Sequence, residues 1–314
     1  VWIEAEHFLL FDGETVRFKA FTGKEDGRRN EENGNGLKEA GVEICRQRPT
    51  VYRNGEMIDF SWENGVAEVL DRPESCGKYR YEIEWMGKRS QAVFLIQPEI
   101  RRLAERRCRF IAGKQQCRDE ESCLNGAYLI YDNEEGQQYY SHAFNDHNGG
   151  RERVGMGALL AKYLQEHPDR ELEESLDRFV RFVRRELLDE KTGVVYDDVR
   201  RDEEWKRLYN YPWICVLFLE MFRLKGDQWY LKAAYRVMTA YYREGGSRFY
   251  AIAIPMRESV ELFRENGMGE EAERLLALYR EHGDRIAELG KNYPAHEVKY
   301  EQSIVAPAAT YLCE

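Results

Sequence analysis

The chain lacks any apolar run approaching the roughly 20 residues that span a bilayer, and its amino terminus lacks the charged-then-apolar pattern of a secretory leader. No part of it reads as membrane-embedded. It has no CxxC pair: Cys45, Cys76, Cys108, Cys117, Cys123, Cys215 and Cys313 are an odd, scattered set, which speaks against a zinc site or a disulfide framework. Reduced, structural thiols are expected, and with them a cytoplasmic setting. There is no GxGxxG opening a helix, no P-loop and no GxSxG elbow, so dinucleotide, nucleotide and serine-hydrolase chemistry are without support and no cofactor is expected. Basic charge is in deficit, 47 Lys and Arg against 57 Asp and Glu for a net −10, which argues against a nucleic-acid partner bound through its phosphates.

What is present is enough for two ordinary domains: 314 residues, 43% hydrophobic and 13% aromatic. Residues 1 to 97 alternate in short runs such as "TVRFKAFT", "TVYRNGEMIDFSW" and "YRYEIEWMG", punctuated by Asp12-Gly13, Asn54-Gly55, Asn64-Gly65 and Met86-Gly87. That pattern predicts an antiparallel β-sandwich. Cys45 and Cys76 with Trp62 between them give it an immunoglobulin-like look, although their separation is too short for the corresponding disulfide. Residues 23–36 are rich in Gly, Asn and charge and read as an exposed loop.

After Pro98 the hydrophobic period changes from two to about 3.6. Ile100, Leu103, Ala104, Cys108 and Ile111 make a linker-helix stripe, so residues 98–125 read as a connecting helix and loop and 126–314 as an all-helical domain. A helix capped by Asp169 carries Leu172, Leu176, Phe179, Val180, Val183, Leu187 and Leu188. Further helices are predicted at about Glu203 to Leu224, Gln228 to Arg243, Met256 to Asn266, Gly269 to Leu289 and from Glu301 onward. Successive α-hairpins without a regular repeat imply a bundle or a toroid.

A short-strand β domain, a linker helix and α-hairpins with polar loops resemble the six-hairpin (α/α)-toroid carbohydrate enzymes, a group of polysaccharide lyases and glycoside hydrolases. The segment "GAYLIYDNEEGQQYYSHAFNDHNGGRERVGMGALLAKYL", Gly126 to Leu164, is similar to the start of their catalytic domain. The resemblance implies an oligo- or polysaccharide substrate. The region after residue 150 offers fewer helices than a closed toroid uses, so the toroid is expected to be incomplete in this chain, and the natural protein to continue beyond Glu314.

Within that segment, "YYSHAFNDHNGGRERVGMG" concentrates acid/base and hydrogen-bonding groups at a loop-to-helix junction. Gly149-Gly150 provides the turn and Val154, Met156, Leu159, Leu160 and Tyr163 the core face of the following helix, whose amino terminus favours an anion. Lyase chemistry on a uronate needs a group that neutralises the carboxylate, together with a base and an acid. Asn145, Asn148, Arg151 and Arg153 are candidates for the first task, and Tyr140, His142 and His147 for the others, with a tyrosine serving as base when its pKa is lowered. The competing structural reading has the histidines bonding the loop and Arg151 and Arg153 clamping Asp146 and Glu152. A hydrolase would instead need two carboxylates roughly 5 to 9.5 Å apart, for which Asp146, Glu152, Glu297 and Glu301 are available.

Two later loops share the composition. "WKRLYNYPW" offers Tyr209 and Asn210, and "NYPAHEVKYEQ" offers His296 and Glu301, aromatics beside hydrogen-bonding groups being suited to sugar rings. Trp213 reads instead as core. His142, Asp146 and His147 match no specific metal-ligand spacing, so no metal is expected. A non-catalytic glycan-binding or scaffold protein is the reading from a different functional class, and the oligomeric state is left open.

Overall fold

The computed structural model describes residues 1–22, 47–141, 146–201, 207–249 and 254–289. It belongs to the mixed β and α class, and its contacts divide the chain into two units, Val1–Ala104 and Glu105–Glu314.

The first unit holds two sheets. One runs β1 (Trp2–Glu4), β3 (Val16–Phe21), β7 (Val66–Asp71) and β6 (Ser61–Glu63) in spatial order. The other runs β2 (Leu9–Phe11), β9 (Lys88–Gln97), β8 (Gly77–Trp85), β4 (Thr50–Arg53) and β5 (Glu56–Met57). Alternation along the strands does the sorting: Val16, Phe18 and Ala20 on β3 and Ala67 and Val69 on β7 share one core with Val51, Tyr81, Ile83, Phe94 and Ile96 of the other sheet. The Phe18 ring lies 5.3 Å from Tyr81 and 5.6 Å from Phe94 between centroids.

The turns follow from the predicted dipeptides. Asn54-Gly55, Asn64-Gly65 and Met86-Gly87 all have two consecutive positive φ angles, 51° and 89°, 50° and 83°, and 49° and 72°, the geometry of a hairpin turn that matches strand twist. The expectation of purely antiparallel pairing fails at one edge, where β2 pairs with β9 in parallel. The chain reaches β2 by crossing from the other sheet, so no hairpin turn imposes an antiparallel direction there.

The second unit is mainly helical. The helices are α1 (Ile100–Phe110, which begins before the division), α2 (Arg151–Glu166), α3 (Arg170–Phe182), α4 (Asn210–Lys225), α5 (Gln228–Arg243), α6 (Met256–Glu265) and α7 (Gly269–Leu289). α1 and α3 each end in a π-helical turn, Ile111–Gln115 and Val183–Leu187. Every apolar residue expected on α3 and its extension is buried, and Asp169 caps it by accepting the Leu172 amide at 3.1 Å. On the α1 stripe Cys108 and Ile111 are buried, while Ile100 is exposed. The helix α2 packs against α3 and α4, α4 against α5, and α6 against α7. Gly157 makes the α2–α3 approach possible, since an added Cβ there would stand 2.4 Å from the Phe179 ring.

Two expectations for this unit are corrected. It is not all-helical: β10 (Ile130–Asp132) and β11 (Gln137–Tyr139) form a hairpin closed by Gly136 at φ 70°. These strands are three residues long and largely exposed, so no hydrophobic period announces them. The helix expected from Glu203 is already non-helical at residues 207–209 and begins at Asn210, with Pro212 in its first turn, where a missing N–H costs no intrahelical bond. Among the described residues no helix is long and apolar enough to cross a membrane, and Cys76, Cys108, Cys117, Cys123 and Cys215 are unpaired thiols.

Candidate functional site

The junction that opens α2 meets two other segments of the helical unit: residues 196–201, after the Leu188–Val195 bridge, and the start of α4. Close backbone contact makes the meeting possible. The Gly149 amide donates to the Asp197 carbonyl at 2.8 Å, and an added Cβ on Gly149 would lie 2.5 Å from the Tyr196 carbonyl oxygen. No side chain larger than hydrogen fits there.

That approach places His147 against Asp197. Its Nδ1 lies 2.6 Å from the Asp197 carboxylate, and the histidine side chain is 29% exposed. A carboxylate on Nδ1 holds the proton there and leaves Nε2 as the lone-pair nitrogen of the neutral ring. Asp197 is itself fixed by Asn210, whose Nδ2 donates to it at 3.0 Å, and by the Arg207 guanidinium at 3.6 Å.

Around this pair the polar groups are buried. Asn148 is 1% exposed, and neither its Nδ2 nor its Oδ1 has a hydrogen-bond partner among the described residues; the Oδ1 of Asn210 is also unpartnered. Leaving such groups unmade costs about 1–3 kcal/mol each, so they are groups for which a ligand would compensate. Gly150 caps α2 without a side chain, so the first-turn amides receive no side-chain acceptor from the cap.

Asp146 is fully buried and takes the Arg153 Nε at 2.5 Å on one oxygen. Burial pushes its carboxyl above the usual range, and the Arg153 guanidinium opposes the shift. Tyr140 packs against the helical core, and its hydroxyl is pushed up to about 12 by burial, reinforced by the charge of Asp198 and opposed by Arg200. The direction is opposite to the lowering that would make it a base. Asp198 is buried and accepts the Arg200 amide at 2.8 Å.

The sequence candidates thus separate. Tyr140, Asp146, His147, Asn148, Arg153 and Asn210 belong to this polar cluster. Arg151 is exposed and paired with Glu152 at 3.4 Å, and Arg153 is committed to Asp146, as the clamp reading has it. Tyr209 stacks edge-on to Phe249 with centroids 4.8 Å apart and lies under the Arg207 guanidinium. His142, Asn145, His296, Glu297 and Glu301 lie outside the described residues. Asp197, Asp198 and Arg207 were not anticipated. For Asp197 and Asp198 the run "GVVYDD" carries the one sequence signal, two adjacent acids a few residues after a turn glycine and a buried valine.

Comparison with known proteins bears on this geometry. A solved polysaccharide lyase superposes on 98% of the chain with a TM-score of 0.81 at 30% sequence identity, and the chain spans 43% of that protein's length. A single-mutant thermostable endoglucanase from Alicyclobacillus acidocaldarius aligns over 98% of this chain and 69% of its own, at 11% identity and a TM-score of 0.35, a likeness that carries no argument. No protein-family model and no curated protein matches the chain. The chain therefore shares, over nearly its whole length, the architecture of part of a carbohydrate-active enzyme.

Proposed function

We propose that the chain is part of an enzyme that cleaves an acidic, uronate-containing glycan by β-elimination, with its helices forming part of an (α/α)-toroid. The observation that carries the reading is the imidazole of His147, oriented through Nδ1 by Asp197 at 2.6 Å, beside the unpartnered, buried amide of Asn148. The likeness to a polysaccharide lyase supports it.

The chemistry assigns a role to each group. Elimination begins with removal of the proton at C5 of the uronate, next to its carboxylate, and that proton becomes acidic only when the carboxylate charge is dispersed. The Asn148 amide, with the uncapped amino terminus of α2 beside it, supplies donors for that carboxylate. His147 Nε2 takes the C5 proton as base. The electron pair forms the C4–C5 double bond and expels the glycosidic oxygen at C4. Tyr140 then supplies the proton to the leaving oxygen: a hydroxyl held at about 12 stays protonated near neutral pH and is suited to an acid role.

Incubating the chain with a panel of uronate glycans tests this. The expected result is an unsaturated product, read by its ultraviolet absorbance, formed about 10²- to 10⁴-fold more slowly by a His147→Ala chain of unchanged melting temperature. A hydrated reducing sugar would indicate a glycoside hydrolase, in which the buried Asp146 is the carboxyl to examine first, and retention without turnover would indicate a glycan-binding protein.

A further inference from the structure

Away from the residues assigned above, the helical unit carries a cleft of about 300 Å³ lined by Arg118, Glu120, Asn125, Arg178, Arg181 and Arg185. Four guanidiniums face one carboxylate there, in a chain whose net charge is −10. Arg178, Arg181 and Arg185 recur at helical spacing along α3 and its π-helical extension, so they project from one face. Like charges so placed repel one another unless an anion intervenes.

Intramolecular partners answer only part of that charge. Arg185 reaches Glu186 at 2.7 Å and donates to the Cys123 and Asn125 carbonyls at 3.1 Å each, and Arg118 donates to the Ala112 carbonyl at 3.3 Å. Arg178 and Arg181 have no ion-pair partner among the described residues. The walls are preformed. Gly126, at φ +92°, lays the loop backbone directly on α3, where an added Cβ would stand 2.5 Å from the Arg178 carbonyl oxygen. The Gln116 amide ties the two together, donating to the Gly126 carbonyl at 3.3 Å and to the Ser175 carbonyl at 2.8 Å.

We propose that this cleft is a binding site for oxyanions, the carboxylate or sulfate groups of a glycan or a free anion of the same chemistry. Planar guanidiniums take such groups through paired N–H bonds, and several around one cleft are selective for them over neutral sugars. On the uronate reading, on which the glycan form of the proposal rests, the cleft holds an acidic group remote from the bond being broken.

Calorimetric titration of the full chain with sodium sulfate and with tetragalacturonate, at low and raised salt, tests it without reading turnover. Binding of the oligosaccharide that weakens at least tenfold in Arg178→Gln/Arg181→Gln, and that falls with salt, supports glycan acids as the ligand. Sulfate binding lost in the same variant, with no variant-sensitive oligosaccharide binding, supports the free-anion form and leaves the elimination reading to its own assay. Undetectable binding of both probes, or affinities unchanged by the substitutions, overturns the proposal. Arg181→Gln alone, at an exposed position, keeps the test readable if the double variant fails to fold.

Discussion

Two histidines of the helical unit are each held through Nδ1 by an oxygen, with opposite results. His147 lies 2.6 Å from a carboxylate and is partly exposed, so its ring is oriented and Nε2 is left for other partners. His282, on α7, lies 3.2 Å from the Tyr242 hydroxyl on α5, is 2% exposed, and burial together with the Arg285 charge lowers it to about 4. The same kind of bond thus leaves one ring partly open to solvent and packs the other into the core. Partner charge and access to solvent make the difference.

The largest expected effect breaks the comparison on the His147 side. Asp197→Asn keeps the shape but removes the charge that fixes the tautomer, and elimination should slow by about 10²- to 10⁴-fold with little loss of melting temperature. Asp197→Asn turnover equal to wild type would strip the pair of its assigned role.

Next comes the buried member. His282 titrates at about 4 in the folded chain, against about 6.5 for the unfolded one, so below pH 6.5 the unfolded state takes up the proton first. Its contribution is intact above pH 6.5 and is lost as pH falls toward 4, by about 3 kcal/mol in all. Urea unfolding across that window should show the loss, and His282→Gln should flatten that part of the profile.

Gly149→Ala sharpens the contrast by displacing the loop that presents His147. The added methyl meets the Tyr196 carbonyl, so a cost of about 1–3 kcal/mol is expected from denaturant midpoints, with turnover falling alongside. The smallest effect belongs to Tyr242→Phe, which removes one hydrogen bond to His282 and should cost about 1 kcal/mol, with no change in turnover.

How far these features were readable from the chain differs by region. The hairpin turns and the α3 stripe were, because Asn-Gly dihedrals and 3.6-residue spacing are local. The parallel β2–β9 edge was not, since it depends on which sheet receives a strand after a crossing. At the site, His147, Asn148 and Asn210 stood out by composition, and the structure puts them together. Asp197 did not stand out: its importance comes from a meeting of segments remote in sequence, and a single carboxylate in a chain with 57 acidic residues looks like any other. The direction of the Tyr140 shift was also hidden, because burial sets it.

The backbone bond from the Gly149 amide to the Asp197 carbonyl has a kinetic consequence. The amides of Arg153 and Val154 bond locally to the Gly150 carbonyl, and their exchange with deuterated solvent reports fraying of the first turn of α2. The Gly149 proton exchanges only when two segments about fifty positions apart in the chain separate, so its protection measures the opening of the tertiary structure around His147. One slow amide beside two faster ones would give the free energy of opening the assembled loop, in the absence of any substrate.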